Sequence, residues 1–329
     1  MGPITTATAR VVVRQQQRTA PLGRLMSSAA VHPPPRTVYL NGSYLPETEA
    51  KVSVFDRGFQ FSDSVYEVTS VLDGKLVDFD GHMERLKRSL RELNYTQYVP
   101  NSEEYLEVHR NLTRLNHIQE GVVYVQVTRG VAADRAFTYN DSQLEPTVFM
   151  MTQPMELIQN AKAQRGIRVK SILDQRWGRC DIKTTQLLYQ ALGQMQAKAA
   201  GVDDAWMVEA SSSSADASTA VVTEGSSNNA WIVKDGTFVT RPTAHDILAG
   251  ITRATVLRLL DETPGMTLEE RPFTLQEVYQ ADEAFCTSSS NFVMPVIEMN
   301  GKPIGNGKPG PLTQRLREIY IEESRKAAV

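Results

Sequence analysis

The sequence predicts a two-domain protein that combines α+β and α/β structure, and three observations support this prediction. The chain has 329 residues, enough for one large domain or two of ordinary size. Its composition, 41% hydrophobic and 22% charged, is typical of globular proteins with a sizeable core. Segments with strand and helix patterns fall into two groups, separated by the polar residues 153–166. Disorder of the whole chain and a fibrous repeat are therefore excluded.

Charge and cysteine content narrow the functional classes. The net charge is -3, from 35 basic and 38 acidic residues, which argues against a nucleic-acid binder driven by bulk charge. Cys180 and Cys286 are too few for a disulfide framework or a structural zinc site, and they fit a reducing compartment. No stretch approaches the roughly 20 apolar residues of a membrane-spanning helix. We therefore expect neither nucleic acid, membrane nor metal as a partner.

Residues 1–36 differ in composition from the rest of the chain. They contain no Asp or Glu, and five arginines stand among Ala, Ser, Thr and Val. A segment that is rich in Arg, contains Ser and is free of acids has the composition of an organelle transit peptide, which predicts a mitochondrial location. The alternative is a disordered tail on a cytoplasmic protein.

The first predicted domain, residues 37–152, is a smaller α+β unit. It opens with the strand pattern "TVYLNG" and continues with two strands joined at Asp73-Gly74, a strong hairpin signal. A helix follows in "GHMERLKRSLRELN", a second in residues 101–117, and then the strands "GVVYVQVTRG" and "PTVFMMT". The inward positions expected for the first helix are Met83, Leu86, Leu90 and Leu93.

A larger α/β domain is predicted for residues 167–329, after an interdomain linker at residues 153–166. It begins with the strand "IRVKSIL" and a helix in "KTTQLLYQALGQMQAKAAG". Further strands, a helix in "ITRATVLRLLDE", a capping box at Thr274 and Glu277, and a final helix from about Leu312 complete it. The serine-rich residues 209–220 are interpreted as a mobile insertion. The inward positions expected for the first helix are Leu187, Leu188, Ala191, Leu192 and Met195.

Two residues are candidates for chemistry. Lys183 stands where a strand pattern changes to a helix pattern, and a lysine that is neutral near pH 7 can form a Schiff base with an aldehyde. Glu224 ends a strand before Gly, Ser and Asn, so its carboxylate could pair with a protonated ring nitrogen. Taken alone, a solvated lysine and a loop cap are the better interpretations.

Three separate segments of the sequence together could bind a phosphate group. "LAGITR" leads into a helix N-terminus, where backbone N–H groups attract phosphate. "CTSSSN" supplies serine hydroxyls, and Arg85 in "HMERL" is either a fork for phosphate oxygens or an exposed helix residue. The histidines are isolated, which favours surface or core positions over ligands. Together with Lys183 and Glu224, these pieces fit the requirements of pyridoxal phosphate.

Four motifs carry a family resemblance. "VFDRGFQFSDSVYEV", "RWGRCDIKTTQLL", "VTEGSSNN" and "LAGITR" occur in order between residues 37 and about 325. In these motifs the chain resembles the class-IV aminotransferases, the fold-type IV pyridoxal-phosphate enzymes, and within them the D-amino-acid (D-alanine) aminotransferases. The resemblance implies a two-domain fold with the cofactor between the domains, in a homodimer.

The resemblance also implies roles for individual residues. Lys183 would be the Schiff-base lysine and proton carrier, and Glu224 would contact the pyridine nitrogen. Tyr66 would line the substrate side of the pocket, and Leu248 would pack on the cofactor ring. The residues implied around the phosphate are Arg85, Ile251, Thr252, Ser288 and Ser289.

One departure from the family concerns the substrate carboxylate. D-alanine aminotransferases commonly hold it with an Arg-x-His pair that follows the "VTRG" strand and comes from the neighbouring subunit. This chain reads "VTRGVAADRAFTYN", which has no histidine and looks shorter. Arg135 is the first candidate to replace the pair and Arg129 the second, although neither aligns cleanly.

The expected function is transamination between a D-amino acid, such as D-alanine, and a 2-oxo acid, such as 2-oxoglutarate. One alternative is another enzyme of the same fold: aminodeoxychorismate lyase, or an aminotransferase for branched-chain amino acids or amines. A non-enzymatic cofactor-binding protein is a third interpretation, which the presence of both Lys183 and Glu224 disfavours.

Overall fold

A computed structural model describes Gly2, residues 35–209 and residues 217–329. Most of the segment predicted as a transit peptide, and most of the serine-rich insertion, lie outside these residues. Residues 35–329 belong to one compact unit. The boundaries expected for two domains within that unit stay a prediction. No helix among the described residues is both long and apolar enough to cross a bilayer.

An antiparallel sheet is built from residues 37–154. Its strands are β1 (Thr37–Leu40), β2 (Ser43–Pro46), β3 (Ser64–Leu72), β4 (Lys75–Leu76), β5 (Glu120–Thr128) and β6 (Val148–Pro154). They lie in the order β2-β1-β6-β5-β3-β4. The predicted hairpin joins β3 to β4, with Asp73 and Gly74 at φ values of 52° and 74°. Both values lie in the left-handed region, which Asp-Gly pairs favour in tight hairpins.

Three helices accompany this sheet, and apolar residues of helices and strands together form its hydrophobic core. They are α1 (Arg57–Phe61), α2 (Phe79–Glu92) and α3 (Ser102–Leu115). Met83, Leu86 and Leu90 of α2 are buried in one cluster with valines of β3 and β5, and Leu93 packs against it partly buried. The helical spacing of apolar residues therefore identified the buried face of α2 correctly. The five-residue helix α1 was not predicted.

A mixed sheet follows in residues 167–303. Its strands are β7 (Ile167–Leu173), β8 (Asp204–Val208), β9 (Val222–Gly225), β10 (Asn229–Lys234), β11 (Thr237–Thr240), β12 (Thr267–Glu270), β13 (Glu283–Ser288), β14 (Phe292–Met299) and β15 (Lys302–Pro303). The order is β12-β11-β10-β13-β14-β7-β8-β9, with β15 beside β14. Its helices are α5 (Leu188–Ala199), α6 (Ile251–Glu262), α7 (Leu275–Gln280) and α8 (Pro311–Ala327). Thr274 and Glu277 form the predicted capping box at α7.

The polar segment between the sheets is more ordered than its sequence indicated. Strand β6 continues to Pro154, and a short helix, α4 (Ala161–Arg165), follows. The backbone N–H groups of Leu157 and Ile158 donate to the Glu120 carboxylate, and the buried Arg317 guanidinium donates to both carbonyls. Because these partners lie far away in sequence, local composition does not reveal the contacts.

The expected orientation of α5 is wrong. Leu188, Leu192 and Met195 are 74%, 50% and 60% exposed, and the buried residues of the helix are Gly193 and Ala197. A Cβ at Gly193 would lie 2.8 Å from Ile172 Cδ1, so the helix packs closely against β7 through its small residues. The large apolar side chains therefore form an exposed stripe on the opposite side, which we call the α5 stripe.

Candidate active site

Lys183 lies in the loop before α5, where that loop crosses the six-stranded sheet. Tyr66 N donates to Lys183 O at 3.0 Å, and Thr185 N donates to Ser64 O at 3.2 Å, so the loop pairs briefly with β3. The Lys183 Nζ atom lies 4.1 Å from the centroid of the Tyr66 ring. The lysine is thus fixed by backbone contacts, and its amine is left beside an aromatic face.

A cavity between the two sheets brings together nearly all the predicted site residues. Strand β3, the loop before α5, the end of β9, the N-terminus of α6 and the end of β13 each contribute to its wall. The predicted residues that line it are Tyr66, Arg85, Lys183, Glu224, Leu248, Ile251, Thr252, Ser288 and Ser289. Arg135 does not line this cavity.

Glu224 is buried at one end of the cavity and accepts hydrogen bonds from several donors. Asn229 Nδ2 donates to Oε2 at 2.9 Å, Leu248 N lies 3.2 Å from the same oxygen, and Arg176 pairs with Oε1. Burial raises the pKa of Glu224 above its ordinary value, and Arg176 opposes this effect. Leu248 N also lies 3.3 Å from Oε1, so three donors share the roughly four acceptor sites of the carboxylate, and part of its acceptor capacity remains.

Sequence reasoning missed Arg176. Its guanidinium lies between Asp174, at 2.6 Å, and Glu224, and its Nη2 also donates to Asp246 O at 3.0 Å. Arg176 stands seven residues before Lys183 in the "RWGRCDIK" motif, which was the available signal. Its pairing lets Glu224 remain buried beside the cavity, since an unpaired buried carboxylate would be costly.

At the other end of the cavity, Arg85 is held by a buried carboxylate that the sequence did not reveal. Glu67 accepts Arg85 Nε and Nη2, each at 2.7 Å, and contacts His82 Nδ1 at 2.8 Å. Burial alone would raise the pKa of Glu67, but Arg85 and His82 outweigh it and lower that pKa to about 2. Arg85 Nη1 donates to Ala249 O at 2.8 Å, so two of the five guanidinium N–H groups remain available.

The N-terminus of α6 lies beside Arg85. Gly250 caps the helix without a side-chain hydrogen bond, and Ile251 and Thr252 are its first residues. The first N–H groups of a helix have no partner within it and carry a partial positive charge. Ser288 and Ser289 add hydroxyl groups to the same wall. Arginine, helix N-terminus and hydroxyls together form a cradle suited to a phosphate group.

The wall of the cavity around Tyr66 is aromatic. The Tyr66 ring stacks on Tyr124 with centroids 5.6 Å apart, and Tyr124 OH donates to Gln126 at 2.9 Å. Burial raises the pKa of Tyr124, so this hydroxyl stays neutral at physiological pH. Tyr66 is therefore supported by a residue of the neighbouring strand β5.

The two candidates for the carboxylate clamp differ in their surroundings. Arg129 is buried and donates to Asp63, Asp141 and the Leu93 carbonyl, so its guanidinium is already committed to the fold. Arg135 is exposed, and its Cζ atom lies 4.9 Å from the centroid of the Phe61 ring. Arg129 is thus unsuitable as a clamp, whereas the exposed Arg135 forms no ion pair with a described residue.

Comparisons with known proteins agree with this geometry. The sequence profile of the family Amino-transferase class IV matches residues 64–299. A D-alanine aminotransferase of Staphylococcus aureus is 37% identical over 296 residues, which cover 87% of this chain and 98% of that one. A D-alanine aminotransferase of Bacillus licheniformis is 35% identical over 280 residues, 85% of this chain and 94% of that one.

Solved structures show the same architecture. A T.th. branched-chain amino acid aminotransferase with pyridoxamine 5'-phosphate superposes with a TM-score of 0.76 at 25% identity, over 88% of this chain and 94% of that one. The branched-chain aminotransferase of Thermoproteus uzoniensis with norvaline superposes with a TM-score of 0.74 at 26% identity, over 88% and 95%. The predicted fold class is thereby confirmed, and the chain belongs to the class IV aminotransferase family.

Proposed function

We propose that the protein catalyses pyridoxal-phosphate-dependent transamination between a D-amino acid, such as D-alanine, and a 2-oxo acid, such as 2-oxoglutarate. The observation that carries this proposal is the position of Lys183 in one cavity with a buried carboxylate and an anion cradle. The choice of D-amino acids is supported by the identity with proteins named D-alanine aminotransferase.

The residues of the cavity fit pyridoxal phosphate. Arg85, Ser288, Ser289 and the first N–H groups of α6 would hold its phosphate, and the Glu224 carboxylate would accept a hydrogen bond from a protonated ring nitrogen. Leu248 lines the wall beside Glu224, where it would contact the ring. When bound, the cofactor supplies an aldehyde that captures amino groups and a ring that accepts electrons from the Cα carbon.

Residues that line the cavity would carry out the proton transfers and hold the reacting groups. The Lys183 amine would take the proton from the substrate Cα atom and would return it on the cofactor side. Glu224, fixed by Arg176 and Asn229, keeps a proton on the ring nitrogen. Tyr66, which stacks on Tyr124, places an aromatic face 4.1 Å from the amine. The same groups serve the 2-oxo acid in the reverse direction, so the two substrates react in turn.

The proposal includes a homodimer. The α5 stripe is exposed, and Phe59 and Phe137 are 75% and 78% exposed. Contiguous apolar patches on a protein surface commonly mark interfaces. We assign these surfaces to a second copy of the chain, whose Arg135 would grip the substrate carboxylate through two hydrogen bonds. Phe137 stands two residues after Arg135, which is the spacing of the histidine in the family's Arg-x-His pair.

A substrate screen tests the reaction. Purified protein loaded with pyridoxal phosphate is offered D- and L-amino acids, with pyruvate and 2-oxoglutarate as acceptors. We expect D-alanine with 2-oxoglutarate to be the preferred kind of pair, and we expect a visible absorbance band that the Lys183→Ala variant lacks. Preference for L-leucine or L-valine would identify a branched-chain aminotransferase, and pyruvate release from aminodeoxychorismate would identify the lyase. Either result would contradict the proposal.

Residues 1–36 are proposed to direct the protein to mitochondria, on the basis of their arginine-rich, acid-free composition. A fluorescent protein fused behind these residues is expected in mitochondria, and a variant with the five arginines replaced by Gln is expected in the cytosol. Cytosolic fluorescence of the unmodified fusion would leave the disordered-tail interpretation.

A further inference from the structure

We propose that Arg57 is a positioning residue for the substrate, because it fixes the loop that carries Arg135. This inference rests on the role of Arg135 in the proposed function. Arg57 is the first residue of α1, is 4% exposed and does not line the cavity of its own subunit. Its effect on the reaction would therefore act through the loop of residues 131–139.

Arg57 contacts this loop at the two residues that follow Arg135. Its Nη1 donates to Ala136 O at 2.7 Å, and its Nη2 donates to Phe137 O at 3.3 Å. The Arg57 guanidinium also lies 4.3 Å from the centroid of the Tyr139 ring, at the far end of the loop. One side chain thus holds the loop at three residues, all of them within four positions of Arg135.

The backbone of the same region is tied down as well. Arg57 N donates to Gly130 O at 2.9 Å, and Ala132 N donates to Phe55 O at 3.2 Å. These bonds fix the start of the loop, whereas the Arg57 side chain fixes the part that carries Arg135. Loss of the side chain would therefore loosen the loop near Arg135 and leave its start attached.

Arg57 and Arg135 differ in their ion pairs. Arg57 Nε donates to Asp63 at 2.9 Å, and Asp63 is shared with Arg129, which also pairs with Asp141. Two carboxylates thus neutralise two arginines. Arg135 forms no ion pair with a described residue, and it rests on Phe61, the ring that Arg57 also covers. Among these arginines, Arg135 therefore carries the positive charge that no described carboxylate pairs with, and its guanidinium lies against Phe61 and Phe137.

Arg57→Met tests the inference, since methionine has a similar length but donates no hydrogen bond. We expect the Michaelis constant for D-alanine to rise about tenfold, with kcat changed less than about twofold and the absorbance of the bound cofactor unchanged. In an Arg135→Ala background the same change should add nothing to the Michaelis constant. As a matched control, Arg165→Met removes an exposed arginine that pairs with Asp203, and it should leave the constant unchanged.

The outcomes separate this inference from the proposed function. If Arg135→Ala raises the Michaelis constant and Arg57→Met does not, or if the two effects multiply in the double variant, the positioning role is wrong and the clamp stands. If Arg135→Ala leaves the constant unchanged, the clamp itself is wrong. Should Arg57→Met fail to fold, Arg57→Lys decides the question. Lysine keeps the charge opposite Asp63 but cannot reach both loop carbonyls, so an unchanged constant would overturn the inference.

Discussion

Glu224 shows how single residues prepare this site. Its carboxylate is buried next to a cavity, where an isolated charge would be unstable, yet three groups of the protein donate to it. Those contacts fix the orientation of the carboxylate. Arg176 favours its charged form against the effect of burial, so an oriented carboxylate lines the cavity.

Glu224→Gln should leave the fold intact and lower kcat by roughly 100-fold or more, because an amide cannot keep a ring nitrogen protonated. Arg176 loses one partner in this variant but keeps Asp174. Steady-state kinetics and the cofactor absorbance measure the effect. Glu262→Gln, which alters an exposed helix pair with Arg258, is the control. An unchanged kcat in Glu224→Gln would reduce Glu224 to a loop cap.

Residue identity could be predicted where a motif is continuous in sequence. Lys183, Glu224 and Ile251 each stand in such a motif, and the structure brings all three to one cavity. Glu67 stands in the first motif and His82 in "HMERL", but nothing in the sequence distinguishes the roles of their side chains. Their contact with each other and with Arg85 arises only when α2 packs on β3, and a single glutamate in a strand has no distinguishing pattern.

At the scale of elements, Glu67 connects β3 to α2 through its contacts with His82 and Arg85. The pKa of Glu67 is lowered in the folded state from 4.5 to about 2, so folding is stabilised by this group above pH 4.5. That contribution, about 3 kcal/mol, is lost as the pH falls from 4.5 towards 2, where the folded state must also bind the proton.

Glu67→Gln should therefore be less stable than the wild type at pH 7, and the difference in free energy of unfolding should shrink between pH 4.5 and pH 2. Urea titrations at several pH values in this window measure it. The comparison with wild type removes the effect of other acids, such as Asp181, whose pKa is also lowered. A difference that stays constant with pH would show that the Glu67 charge does not stabilise the fold.

Arg317 joins α8 to the segment between the sheets. Its Nη1 donates to Val293 O at 2.9 Å, and its Nη2 donates to Leu157 O. Burial lowers the pKa of Arg317 to about 10, which still leaves it charged at pH 7.

Arg317→Met should lower the free energy of unfolding by about 3 kcal/mol, because buried carbonyls lose a charged donor. Arg315→Met, at an exposed position of the same helix, should change it little; equal losses would contradict the assignment.

Elements were predictable where their apolar pattern and their environment agreed. Helix α2 has one buried face and its pattern shows it, whereas α5 has an apolar pattern whose large residues face outward. Periodicity reports which residues share a face, but it does not report what covers that face. For α5, the small residues Gly193 and Ala197 make the contact within the subunit.

At the scale of the whole molecule, the proposed homodimer accounts for both the exposed α5 stripe and the exposed Arg135. A site whose carboxylate clamp comes from a second copy is complete only in the dimer. Arg135 and Lys183 of one chain would then serve different cavities. Because a two-fold dimer contains two equivalent sites, hybrids of two variants that each impair the reaction can separate these contributions.

Co-expression of Lys183→Ala and Arg135→Ala subunits with different affinity tags gives a hybrid dimer that can be purified. In it, the subunit with intact Lys183 faces the intact Arg135 of the partner subunit, so one of the two sites is complete. At D-alanine concentrations well below the Michaelis constant, we expect about half of the wild-type activity, far above either parent.

A hybrid of Lys183→Ala with Glu224→Gln is the matched control. Because both residues line the same cavity of one chain, it should stay inactive. If the first hybrid were as inactive as the control, Arg135 would have to act within its own subunit or not at all.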